Sequence, residues 1–225
     1  MKAKTLFRIV LVLVIIVLAV LVMRSIMRPE KFRAVYNERC EIIKEKLITI
    51  RDLQAVYKNE YKTYMSDADS LADFATNGKV SIIKNVGEIP EGMTEKDALA
   101  AGLLRKETVE ISAAEKAMET DATRKIENFK NLQYVLHQDG PKFQIQTGSI
   151  ASKTYEIPVY MIVVPLDDIL YDMEKSITPA NAGAFTKLIN KIFYGGLAEE
   201  TQYRSQYKDM IMGSLTEAST SGNWE

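Results

Sequence analysis

Fifteen consecutive apolar residues, Ile9 to Met23, constrain this chain more than any other feature. At 1.5 Å per helical residue the run spans about 22 Å of a hydrocarbon layer roughly 30 Å thick. Arg8 and Arg24 at its ends can snorkel, so the usable segment reaches from Leu6 to Met27, about 33 Å, enough to cross. A basic start followed by an apolar run also fits a secretory signal. The residues that follow, Arg24-Ser25-Ile26-Met27-Arg28, lack the small pair a signal peptidase needs, so the expectation is an uncleaved anchor over residues 1–28 in contact with lipid through residues 6–27.

Charge divides at the same boundary. Of 29 Lys+Arg and 30 Asp+Glu, seven basic residues and Glu30 fall in residues 1–33, leaving 22 against 29 and a balance of −7 in residues 34–225. An acidic body argues against nucleic acid, whose phosphates require clustered Lys and Arg. At 47% hydrophobic residues over the whole sequence, most of the chain can bury a core. Three basic residues precede the apolar segment and five follow it (Arg24, Arg28, Lys31, Arg33, Arg39), which taken alone would put the body in the cytoplasm.

Pro29 lacks an amide donor and disfavours helix at Arg28, so a kink is expected there, with a new helix starting at Pro29. No Gly or Pro then intervenes before Met65, about 54 Å of helix. Tyr36, Ile43, Ile50, Tyr57 and Tyr64 recur every seven residues, with Cys40, Leu47, Gln54 and Tyr61 as the companion row. This is an a/d seam. It can pair two copies of the chain as a coiled coil, or pack as a spine under the chain's own body. Three tyrosines and a glutamine suit a spine over residues 47–64, because their polar groups need partners. The part nearer the membrane, with Tyr36, Cys40, Ile43 and Leu47, is left free for a partner.

The remainder, residues 66–225, reads as an α+β body. Ser66 or Asp67 starts a short helix that Gly78 ends, with Leu71 and Phe74 inward. Lys79 to Val86 reads as a strand, followed by a Gly/Pro turn over Gly87–Gly92. Thr94 opens a small helix that Gly102 stops. Strands are expected at Thr108–Ile111, Leu132–Leu136, Phe143–Gln146 and Tyr155–Val164, and helices at Ala113–Phe129 and over 181–194. These strands and unequal helices predict one small antiparallel sheet laid on the spine.

No residue set points to catalysis. His137 is the sole histidine and Cys40 the sole cysteine, so neither a His pair nor a Cys-based zinc site can form. Cys40 reads as a small hydrophobe on the seam. Asp67, Asp69 and Asp73 lack the glycine and closing glutamate of a calcium loop and read as helix caps. Asp167, Asp168, Asp172 and Glu174 form an acidic run whose paired carboxylates could do acid–base work, as in a hydrolase using Asp167 and Asp168, or hold a cation, but it reads as a solvated face. No metal and no cofactor is expected. Trp224, close to the C-terminal end, reads as a tail anchor packed on the body.

The stretch Ile50-Arg51-Asp52-Leu53-Gln54-Ala55-Val56-Tyr57-Lys58-Asn59-Glu60-Tyr61-Lys62-Thr63-Tyr64, followed by Leu71, resembles the end of the spine helix in type IV pilins and pseudopilins. That likeness implies an N-terminal transmembrane helix continuing into a long spine packed on a small antiparallel sheet. Lys4-Thr5-Leu6-Phe7 does not supply the Gly-Phe…Glu signature of prepilin processing. The whole chain is also similar to a family of single-pass envelope proteins of Gram-negative gut anaerobes. The matching residues are Ser25-Ile26-Met27-Arg28-Pro29, the Ile50–Tyr64 stretch, Thr94-Glu95-Lys96-Asp97-Ala98-Leu99, Gly213-Ser214-Leu215-Thr216-Glu217 and Gly222-Asn223-Trp224-Glu225. That family implies a body outside the cytoplasm, and so an inner-membrane protein with its C-terminal body in the periplasm.

The expected organisation is therefore a tail and anchor (1–28), a spine (29–65) and an extracytoplasmic body (66–225). The expected role is a non-enzymatic component of an envelope machine, with other envelope proteins or a second copy as partners and Tyr36, Cys40, Ile43, Leu47 and Trp224 as interaction residues. The alternative is a signalling or scaffolding protein that dimerises through the 36–64 seam.

Overall fold

One helix, α1 (Lys2–Tyr61), carries the chain from the apolar segment into the core without interruption. The structure is a computed structural model that describes residues 2–87, 92–94, 96–97, 101–120, 125, 129–151 and 155–225. At 1.5 Å per residue α1 is about 90 Å long. It continues through Pro29 as one helix, where a new helix was expected to start. The missing amide donor removes one backbone bond among many, and Arg28 and Phe32 on either side are both buried against the body. The helix ends four residues before the expected Met65, because Lys62 adopts the left-handed conformation (φ 61°) and its amide bonds the Lys58 carbonyl at 2.8 Å.

The chain then folds back along α1. Buried Gln54 fixes this turn with its amide, donating to the Met65 carbonyl (2.7 Å) and accepting from the Met65 amide (2.9 Å). That pairing accounts for a polar residue on the seam. Helix α2 (Ala68–Asn77) starts at Asp67, whose carboxylate accepts from the Ser70 amide at 2.7 Å, and buries Leu71, Phe74 and Ala75.

Two antiparallel sheets form where one was expected. The first is a hairpin of β1 (Lys79–Gly87) and β2 (Leu104–Ser112), paired from Lys79↔Ser112 to Gly87↔Leu104. A capping box of Ser112 and Glu115 opens α3 (Ala113–Met118), which buries Ala113, Ala114 and Ala117 in the core. The expected turn over 87–92, the helix opening at Thr94 and the distal part of the helix over 113–129 fall largely outside the described residues. Residues 132–136 are turns rather than a strand. Lys46 of α1 donates to the Tyr134 and Leu136 carbonyls (2.8 and 3.2 Å), and the Val135 amide bonds the Pro141 carbonyl (2.9 Å), which leaves one bridge, Tyr134↔Lys142.

The second sheet has the order β3-β4-β5, from β3 (Gln144–Ala151), β4 (Glu156–Val164) and the four-residue β5 (Met210–Gly213). Between β4 and β5 lie α4 (Leu166–Leu170), α5 (Met173–Ile177), α6 (Ala184–Tyr194), a 3-10 turn (Leu197–Glu199) and α7 (Thr201–Arg204). Strand β5 ends at Gly213 with φ 79°, where an added Cβ would lie 2.3 Å from the Tyr160 carbonyl oxygen. Gly213→Ala should lower stability by about 2 kcal/mol or more, through a left-handed backbone and that clash. The midpoint of thermal unfolding, followed by Trp224 emission, measures it.

The core has two parts. The larger joins Ile43, Leu47, Ile50 and Leu53 of α1 to α2, α3, β4 and β5 through Leu71, Phe74, Ala117, Tyr160, Ile162 and Met212. The smaller lies nearer the exposed apolar segment and joins Phe32 and Val35 to Leu170, Met173, Ile177 and Leu197. The fold is thus α+β, one long helix against small antiparallel sheets.

Candidate functional site

The exposed apolar segment joins the folded body at one junction, and that junction is built from α1 outward. Every apolar side chain from Leu6 to Leu18 is exposed, and among the described residues α1 alone is long and apolar enough to cross a membrane. At Arg28 exposure falls abruptly to 4%. Its guanidinium donates to the Phe193 carbonyl (2.9 Å), to the Gly195 carbonyl (3.4 Å) and to the Glu200 carboxylate. The two carbonyls are the frayed end of α6, where a cation is favourable.

The same device recurs along the spine. Buried Arg39 donates to the Ile169 and Tyr171 carbonyls at the end of α4 (2.7 Å each) and to the Ser176 hydroxyl (2.7 Å). Burial lowers its pKa, and Asp172 partly offsets that. With Lys46 on Tyr134 and Leu136, three cations of α1 each hold a pair of carbonyls of the body. They fix the helix against the body in direction and height, which apolar contact alone does not do.

Between these clamps Phe32 lies 5.1 Å from the Tyr207 ring and Tyr36 lies 4.2 Å from it, centroid to centroid. The Tyr36 hydroxyl donates to the Lys208 carbonyl at 3.2 Å, and burial pushes its pKa up. Cys40, half-buried one turn on, has its thiol pushed up by burial. The thiolate is the reactive form, so alkylation of Cys40 in the folded protein should be about tenfold slower at neutral pH than in denaturant and should rise with pH. Timed labelling with a maleimide, with and without denaturant, checks this.

The five residues proposed for interaction do not share a surface. Ile43 and Leu47 are completely buried in the chain's own core, so the seam there faces the body and not a partner. Tyr36 and Cys40 are half-buried against the same core. The body extends up to Arg28, beyond the boundary at residue 47 expected from sequence. Trp224 packs on the core from the far end, its indole lying against Gly222. The Asn223 amide donates to the Ile211 carbonyl (2.9 Å), and Arg51 donates to Glu225 (3.1 Å), so the tail is tied to β5 and to α1.

Three of the four acids of the run are engaged in local structure. Asp167 pairs with Arg204, Asp172 pairs with Lys175 at 2.6 Å, and Glu174 accepts from the Gly196 amide at 3.3 Å. Burial first, then Asp167, pushes the Asp168 carboxyl up. Among the described residues no three His, Cys, Asp or Glu side chains are placed to hold a metal ion. His137 is exposed in the turn that ends at Gly140. A cleft of about 660 Å³ separates α5 from α6, lined by Glu174, Ile177, Lys187, Asn190, Lys191 and Tyr194.

No family model, curated protein or solved structure matches this chain. Its reading therefore rests on its own geometry: an exposed apolar rod joined rigidly, through carbonyl clamps, to a folded body.

Proposed function

We propose that this protein is a non-enzymatic, single-pass structural or assembly component of a bacterial envelope machine, pseudopilin-like in plan, with its body in the periplasm. The observation that carries the reading is the continuity of α1, which leaves an exposed apolar segment and becomes the centre of the body's core with no linker between them. A flexible tether would let the body wander over a wide radius. A continuous helix clamped by Arg28, Arg39 and Lys46 fixes the body's height and orientation above the bilayer, which is what an assembly subunit needs.

Crosslinking in intact cells, followed by extraction in a gentle detergent and mass spectrometry of the affinity-purified protein, tests the proposal. Reproducible recovery of other envelope proteins, or of a second copy, is expected. Recovery of the protein alone, as a monomer, would count against it.

A further inference from the structure

Helix α6 leaves an apolar stripe exposed. A surface helix of a folded domain turns its apolar stripe to the core and its polar face to water. In α6 the apolar positions Phe185, Leu188 and Ile192 recur at i, i+3 and i+7 and are 76%, 55% and 42% exposed, and none of its residues is fully buried. Its half-buried residues, Ile189, Asn190, Phe193 and Tyr194, turn to the body, where Asn190 donates to the Ile177 carbonyl (3.1 Å), while the exposed Lys187 donates to the Ala180 carbonyl in the preceding loop (2.8 Å). The helix carries Lys187 and Lys191 and no acidic residue, although residues 34–225 have a balance of −7.

Its position supplies the partner. Arg28, which holds the α6 carbonyls of Phe193 and Gly195, directly follows Met27, the last residue of the segment that crosses the bilayer. The end of α6 therefore stands at the membrane boundary, continuous with the anchor. We infer that α6 is a second membrane contact: an interfacial helix that presses Phe185, Leu188 and Ile192 into the acyl boundary of the same bilayer, with Lys187 and Lys191 near anionic headgroups. Such helices sink their apolar face about 5–10 Å below the headgroups and gain affinity from basic flanks. The inference rests on the anchor reading, and it gives the body two points of support, one through α1 and one beside it.

The test uses the full chain with Cys40→Ala, carrying a single cysteine in place of Val14, Leu188 or Ser221. Each is labelled with a polarity-sensitive fluorophore and reconstituted in vesicles of equal parts phosphatidylcholine and phosphatidylglycerol. Part of the phosphatidylcholine bears a nitroxide high on its acyl chain. Leu188 and Ser221 are exposed, so neither label disturbs the core. The expected result is loss of about half the emission at positions 14 and 188, with little loss at 221. Quenching at 14 without quenching at 188 would overturn the interfacial helix and leave the anchor standing. No quenching at 14 would remove the anchor and this inference together. Equal quenching at 188 and 221 would also overturn it, since the body would then be contacting lipid at random.

Discussion

Leu47→Asp should unfold the extramembrane body while the anchor stays in lipid. Leu47 is completely buried between Ile43, Ile50 and the inner faces of the body. Truncating a buried leucine to alanine typically costs about 2–5 kcal/mol. A carboxylate in the same apolar setting adds the cost of burying a charge or of keeping it protonated. Against a total stability of about 5–15 kcal/mol, the sum leaves little or no folded body. Trp224, the only tryptophan, reports the outcome because it packs on the same core. Its emission should shift to that of a water-exposed indole, and residues of the body should become open to protease. Leu47→Met, which conserves volume, should cost less than about 1.5 kcal/mol and keep the native emission. Native emission in Leu47→Asp would mean that the seam is not the body's core.

Removing residues 2–27, so that Met1 precedes Arg28, should yield a soluble, folded body. The most apolar stretch of α1 contributes nothing to the core, since none of it is buried inside the protein. All the clamps and both parts of the core begin at Arg28 or later. The deletion should change the body's unfolding free energy by no more than about 1 kcal/mol, while moving the protein from the membrane pellet to the supernatant after a high-salt wash, which screens any contact of Lys187 and Lys191 with headgroups. An insoluble or unfolded fragment would show that the apolar segment packs on the body.

The exposed apolar helix and the spine were legible because their signals are apolar and periodic. The run Ile9–Met23 leaves little choice beyond a spanning or cleaved helix, and the seam from Tyr36 to Tyr61 marks the face of α1 that the body covers. What stayed hidden was the extension of that face to Arg28. A charged residue on a helix reads as solvated, and only the body's carbonyls at 169, 171, 193 and 195 explain why Arg28 and Arg39 are buried. The continuation of one helix through Pro29 is equally invisible locally, since the contacts that hold both sides of it come from residues far along the chain. The helix end at Tyr61 was missed because a lysine, not a glycine, takes the left-handed position.

In the body, β1 and β4 were visible as apolar or alternating runs, and β3 was met only in part by the expected Phe143–Gln146. Strand β5 was not, because Met210–Gly213 is four residues long and gains its identity from pairing with β4. The division into two sheets follows from long-range pairing that no local pattern carries. Helix α6 was expected over 181–194, yet its orientation could not be read, because an amphipathic stripe predicts burial without saying whether protein or lipid does the burying.

The side of the membrane on which the body lies is the point from which the rest of the proposed function follows. The direct measurement is topology, made on the Cys40→Ala, Ser221→Cys chain in cells whose outer membrane is permeabilised and whose inner membrane is intact. A membrane-impermeant maleimide is added from outside. The account predicts labelling at position 221 under these conditions, with the body in the periplasm. Labelling that occurs only after the inner membrane is lysed would place the body in the cytoplasm, as the count of basic residues around the anchor alone implies, and would contradict the envelope-assembly reading.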